Sequence, residues 1–316
     1  MARFAVRRVA SMVLVLFAIT VLTFLIFQKI PNGDPALRLA GRTASPENIA
    51  SVRHTWGFDR PIWDQYLITM QKVFTGSVIS YTQRINVIDQ IRRGLPATVS
   101  LALGAGVIWL FWGIVLGMVS AVKAGRFSDR ALAVLSLTGI STPVFVVGAI
   151  LLYVLAFLLP IFPNGGYVPI TQDPFQWFWH LVLPWFTLSV LFIGFYSRVL
   201  RSTMLDTMGD DYVRTARAKG LSERRVLVRH VLRTSLIPIV SLWGLDFAAV
   251  IGGGAIITET VFNLQGVGQY AAQSIQALDV PPVLVIVMFA AFAVVLLAAL
   301  VDILYAYLDP RIRLSG

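Results

Sequence analysis

DDYVRTARAKGLSERRVLVRHVLRTSLIP, running from Asp210 to Pro238, is a basic insert between two apolar runs, each long enough to cross a bilayer. Asp210 or Asp211 is placed to cap a helix that starts at Tyr212, because aspartate accepts from orphan first-turn N–H groups and suits the positive helix end. Gly220 fits the left-handed position just past a helix, with Leu221 as the apolar residue after it. The segment therefore reads as a helix of about two turns, Tyr212–Lys219. Tyr212, Ala216 and Lys219 fall on one side of it, and Val213 and Ala216 share a stripe. Ser222, with Glu223 in the following turn, starts a second helix. That helix carries Arg224, Arg225, Arg229 and Arg233 and yields to the next apolar run at Pro238. So short a first helix is marginal in water and needs a surface to pack on. Ala216 and Ala218 permit close approach, and Arg214, Arg217 and Lys219 supply charge around Thr215. Attraction to anionic lipid accounts for the charge but not for the caps. A docking helix is the expectation.

Working outward, the 316-residue chain is 57% hydrophobic and 13% charged, where a soluble domain has about 25% charged residues. This places it in the membrane class. Six apolar segments are expected as transmembrane helices: Val9–Phe27, Thr98–Val122, Ala131–Leu159, Trp177–Ser197, Ser235–Ile257 and Val283–Tyr307. Their continuous apolarity favours helices over a barrel, whose strands would alternate. The first follows Arg3, Arg7 and Arg8 as a signal peptide would, but its run is long and no small-residue cleavage site follows, so a retained span is expected. Pro143 and Pro184 are expected to kink their helices. Gly113 and Gly117 form a small-residue face for packing, and Gly252, Gly253 and Gly254 permit close packing or a bend.

Lys and Arg concentrate in the N-terminal tail, Lys123–Arg130, Arg198–Arg233 and the tail after Asp309, while Pro160–Gln176 and Glu259–Pro282 contain none. The positive-inside rule then puts both termini in the cytoplasm. Arg92 and Arg93, beside the second span, are a local exception in a long loop. The net charge of +10 belongs to these flanks and implies no nucleic acid. Pro31–Leu95 is too long for a plain connector. It holds a turn cluster around Asp34, a helix start at Ser45-Pro46-Glu47, and the aromatics Trp56, Phe58, Trp63 and Tyr66. It reads as a small folded cap with interfacial aromatics, or as a docking surface for an external binding protein. The expected units are 1–96, a helix plus this cap, and 97–316, a five-helix core with the cytoplasmic loop at 201–234.

There is no cysteine and no phosphate-binding Gly-x-x-x-x-Gly-Lys-Ser/Thr; none of Lys29, Lys72, Lys123 or Lys219 has the required glycine. His54, His180 and His230 lie in separate regions. No catalytic, cofactor or metal site is expected in the chain itself. Asp246 interrupts the fifth apolar run. A carboxylate there costs at least about 2.5 kcal/mol on insertion scales, so it should face protein or a watery cavity. Two readings stand: it lines a pathway with Gly253 and attracts a cationic group such as a peptide amino terminus, or it is held by a hydrogen bond or salt bridge to a partner, or by a proton. A stand-alone secondary transporter would need internal repeats or more buried ionisable groups. A non-transporting scaffold would share the docking helix.

The segment Asp211-Tyr212-Val213-Arg214-Thr215-Ala216-Arg217-Ala218-Lys219-Gly220-Leu221, with His230 and Pro238, resembles the EAA coupling loop of ABC importer permeases in its dipeptide/oligopeptide (nickel) branch. Gly33-Asp34-Pro35, Asp59-Arg60-Pro61, Leu95-Pro96-Ala97-Thr98, Glu259-Thr260-Val261-Phe262 with Gly266-Val267-Gly268, and Asp309-Pro310-Arg311 extend the resemblance over nearly the whole chain. The glutamate of the general loop is absent, and Gln265 stands where the family often has proline. The resemblance implies an all-α, six-span type I importer permease in a bacterial or archaeal inner membrane. It implies a second homologous permease, two ATP-binding subunits that hold ATP and Mg and receive the Tyr212–Leu221 segment, and an extracytoplasmic substrate-binding protein. Di- or oligopeptides are the implied substrates, with nickel, glutathione or another small solute as the alternative. Asp34, Glu259 and Phe262 are the expected outer docking or gate residues.

Overall fold

The computed structural model describes the backbone at residues 2–29, 36–37 and 45–308, and side chains at 10–26, 36–37, 45–54 and 57–300. Among these residues every regular element is a helix, with a single isolated bridge between Ile79 and Asn86. We number the helices α1 (Ala2–Lys29), α2 (Pro46–Trp56), α3 (Ile62–Thr75), α4 (Val87–Val122), α5 (Phe127–Ser141), α6 (Val144–Leu158), α7 (Pro174–Met208), α8 (Asp211–Ala218), α9 (Glu223–Gly254), α10 (Ile256–Val261), α11 (Val267–Gln276) and α12 (Val280–Leu308). Four of them, α4, α7, α9 and α12, are individually long and apolar enough to span a membrane, and α5 with α6 makes a fifth, bent span. The remaining expected span falls on α1, whose described apolar stretch is Ala10–Ile26.

Several expected boundaries shift. The second span begins not at Thr98 but at Val87, because the Asn86 side chain caps the helix by accepting from the Asp89 N–H at 3.1 Å. Arg92 and Arg93 therefore lie within its first turns. The third run is not one kinked helix. Thr142 and Pro143 are both extended, at ψ 124° and 134°, so α5 and α6 meet at 96°. Proline lacks the N–H that would continue the ladder and pushes its predecessor out of the helical region. Pro184, by contrast, sits inside an uninterrupted α7. The second basic helix does not yield to the fifth run at Pro238: a single helix, α9, runs from Glu223 through that proline and past Ser235, with wide π-type turns at Val226–Leu232 and Val250–Gly254.

α4 and α7 form the centre of the bundle. Small residues on α4 let the two backbones approach. A Cβ at Gly104 would stand 2.0 Å from the Trp185 ring, and one at Gly113 would stand 2.6 Å from Tyr196 Cβ. Trp185 cannot swing away freely, since its Nε1–H donates to the Ser100 carbonyl at 2.9 Å. Gly104→Ala is accordingly expected to destabilise the fold by about 1–3 kcal/mol through overpacking, measured as a lowered thermal unfolding midpoint of the purified protein in detergent.

Beyond one end of this bundle lies the segment preceding α4. Ser45 Oγ accepts from the Asn48 N–H and Pro46 opens α2, as the sequence predicts. α3 crosses α1 through Tyr66, which packs edge-on to Phe24 and hydrogen-bonds Thr20 at 2.8 Å. The turn before α4 is held by Asp279, whose buried carboxylate accepts from the Ser80 and Thr82 hydroxyls and the Tyr81 and Thr82 N–H groups. These contacts, with a core of Val78, Val87, Ile91, Val267, Tyr270 and Leu284, weld the segment onto α11 and α12.

Candidate functional site

At the arginine-rich end of the bundle, α7 stops at Met208 and the chain turns through Gly209 and Asp210 into α8. Asp210 occupies the cap position in extended conformation, yet its side chain makes no cap hydrogen bond; the expected aspartate cap is geometric only, and the same is true of Ser222 before α9. The exit is a complete left-handed stop. Gly220 has φ +74°, its N–H donates to the Arg217 carbonyl at 2.9 Å, and the Leu221 N–H reaches the Ala216 carbonyl at 3.4 Å.

The seat of α8 is its own chain. Val213 and Ala216, one turn apart, are buried in the same core cluster as Val226 and Val231 of α9 and Leu200 and Met204 of α7. Tyr212 donates from its hydroxyl to Thr234 Oγ1 at 3.2 Å, and Arg217 pairs with Glu223 at 2.8 Å. So Ala216 is unavailable for approach by another protein. Arg214, Thr215, Ala218, Lys219 and Gly220 are exposed and form the open face.

Two ionic groups near this end went unread in the sequence. Asp129 is buried and accepts from Arg201 through Nε at 2.7 Å and Nη2 at 2.8 Å, from Ser120, and from the Gly125 N–H at 2.8 Å. One carboxylate thus fastens α4, α5 and α7 together. The only sequence signal was an acid standing alone in the basic stretch Lys123–Arg130.

Within the bundle, Asp246 is partly exposed and accepts a hydrogen bond from the Tyr196 hydroxyl at 2.7 Å. Its partner lies in this chain, so it needs no second subunit to satisfy it. Nearby on α9, Trp243 donates to the Gly106 carbonyl at 2.9 Å. Gly253 ends α9 with φ +132°, a conformation open to glycine, while a Cβ on Gly252 would meet Val294 at 2.6 Å. Both expectations for this glycine run, bend and packing, are present on different residues.

Glu259 and Phe262, expected at an outer docking or gate surface, are 0% and 1% exposed, so neither presents its side chain for docking. Asp34 lies outside the described residues. Thr98 donates from Oγ1 to Glu259 Oε1 at 2.6 Å and accepts from the Val267 N–H at 2.9 Å; the Gln269 N–H donates to Glu259 Oε2 at 2.8 Å. Burial pushes the Glu259 carboxyl upward, opposed by these hydrogen bonds. Gly266 and Gly268 flank it because a Cβ at either would stand 2.4 or 2.9 Å from its Oε2. The carboxylate bolts α4 to the α10–α11 turn. His54 pairs with Asp59 and His180 with the Gln176 carbonyl, well apart in sequence.

Residues 113–314 match the binding-protein-dependent transport system inner membrane component family, and residues 1–102 match its N-terminal membrane component family. The chain belongs to that transport family. It is similar to a probable peptide ABC transporter permease protein, y4tP, of Sinorhizobium fredii, at 36% identity over 98% of this chain and 99% of the relative. It is also similar to the dipeptide transport system permease protein DppB of Escherichia coli, at 35% identity over 99% of each, and to the probable D,D-dipeptide permease DdpB of the same organism at 36%, covering 98% of this chain and 97% of that one. The fold resembles a chain of the MetNI methionine ABC transporter in an inward-facing form, with TM-score 0.56, 15% identity, and 70% of this chain and 97% of that one covered. The permease is thus a multi-pass, all-helical inner-membrane component with the type I fold, and not itself an enzyme. Membership implies ATPase and substrate-binding partners.

Proposed function

We propose that the permease forms one half of a di- or oligopeptide pathway with a second homologous permease, and that α8 couples it to an ATPase subunit. The observation that carries this reading is a short helix seated by one stripe and open along the other, joined directly to the base of a spanning helix. A solvated loop has no need of so firm a seat. The termini and α8 lie on the cytoplasmic side, by the distribution of arginines. Two ATPase subunits hold ATP and Mg and each receives one α8. An extracytoplasmic binding protein delivers peptide to the opposite end. When nucleotide draws the ATPases together, α8 moves with α9, because Val213 and Ala216 share a core with Val226 and Val231.

The peptide assignment is supported by the names of the relatives. Asp246 suits a peptide amino terminus, since a partly exposed carboxylate inside a span attracts cations. The test is ATP-dependent uptake of labelled dipeptide into vesicles carrying the complete complex. Uptake of nickel or glutathione in place of peptide would overturn the substrate. Asp246→Asn keeps an acceptor for Tyr196 and removes the charge. It is expected to lower uptake of peptides with a free amino terminus about tenfold, the size of one weak ionic contact, and to spare N-acetylated ones. Equal uptake of both by the variant would remove Asp246 from the pathway.

A further inference from the structure

We propose that the groove between α5 and α7 at the arginine-rich end binds the headgroup of an acidic phospholipid. The groove is large, about 630 Å³, and its lining mixes basic, hydroxyl and apolar side chains. It is lined by Arg130, Arg198 and Ser202 together with the apolar Leu132, Val134 and Leu137. The charges do not cancel. Asp129, the one acid in the lining, is already saturated by Arg201, Ser120 and the Gly125 N–H. Arg130 and Arg198 are exposed and make no salt bridge among the described residues. Two uncompensated guanidiniums therefore face a groove held rigid behind them by the Asp129–Arg201 clamp.

The ligand class follows from this pairing. Guanidinium forks match phosphate oxygens bidentately. Hydroxyls of the Ser202 kind add donors to the same oxygens. Val134 and Leu137 of the lining, with the neighbouring Leu135, form an exposed apolar strip of α5, at 66, 53 and 62% exposed. A free anion has no use for that strip, whereas an acyl chain does. Basic pockets between spanning helices are suited to anionic headgroups, with about 1 kcal/mol gained per arginine near the surface. The inference concerns the lipid alone and stands whatever solute the permease carries.

The experiment uses the permease purified with its accompanying subunits in nanodiscs of phosphatidylcholine and phosphatidylglycerol, with retained lipid counted by native mass spectrometry. The double variant R130Q/R198Q is expected to retain phosphatidylglycerol at least about fivefold less well than the parent, the loss expected for a single arginine contact. The double variant K123Q/R126Q removes the same charge from exposed positions outside the groove lining and is expected to retain it normally; R130K/R198K should recover part of the loss. Equal loss in both glutamine variants would overturn the proposal in favour of diffuse surface attraction. Retention of phosphatidylcholine equal to phosphatidylglycerol would overturn it, as would displacement by millimolar inorganic phosphate, the mark of a free-anion site. Loss of the second permease from R130Q/R198Q would make the groove a subunit interface and also overturn it. Arg198→Gln alone gives the same readings if the double variant does not fold.

Discussion

Ala218→Glu is expected to cut ATP-driven uptake about a hundredfold while leaving the permease folded and in the membrane. Ala218 lies on the open face of α8, flanked by Arg217 and Lys219, and contributes nothing to the buried seat. A small residue at the centre of a docking surface admits close approach, and a bulky acid there costs about 3 kcal/mol or more, roughly a hundredfold in association. Val213→Asp should behave differently. It buries a carboxylate at a position with 0% exposure and is expected to unseat the helix, lowering stability as well as transport. The two variants separate docking from seating. Co-purification of ATPase subunits reads the first, and protease sensitivity at Asp210–Glu223 reads the second. An Ala218→Glu permease that transports normally with its ATPases attached would end the coupling role of α8.

Glu259→Ala is expected to have the largest effect on stability, about 3 kcal/mol or more. It strips acceptors from the Thr98 hydroxyl and the Gln269 N–H in a buried site, where each orphaned donor costs about 1–3 kcal/mol. It also leaves a void between Gly266 and Gly268, both of which are shaped around the carboxyl. Glu259→Gln preserves size and one carbonyl acceptor but turns a donor toward the Gln269 N–H or Thr98. An intermediate loss is expected. The measurement is the thermal unfolding midpoint of the complex in one detergent. If the alanine variant unfolds no earlier than the glutamine variant, the carboxylate is not what joins α4 to the α10–α11 turn.

The spans and the short helix were legible because their signals are local: apolar runs of bilayer length, and a glycine stop followed by leucine at Gly220-Leu221. What sequence could not give was the partner of each polar group. Glu259 reads as a surface acid next to a glycine-rich loop, and only its meeting with Thr98, 161 residues away, turns it into an internal bolt. Asp129 and Arg201 are 72 residues apart and individually look like ordinary flank charges. The prolines act unequally. Pro143 breaks its span because two successive residues leave the helical region, while Pro184 and Pro238 lie inside long continuous helices. Proline reports a missing N–H, and packing decides whether the rod survives it.

α9 has one more consequence. From Glu223 to Gly252 it runs 30 residues up to the kink at Gly253, about 45 Å at 1.5 Å per residue. Such a strut acts as a lever: a tilt of roughly 5° about its base carries its tip through about 4 Å. The tip ends at Gly253, the one swivel before the block pinned by Glu259. A modest rocking at the arginine-rich base can therefore be delivered across the full depth of the bilayer while the far block keeps its place.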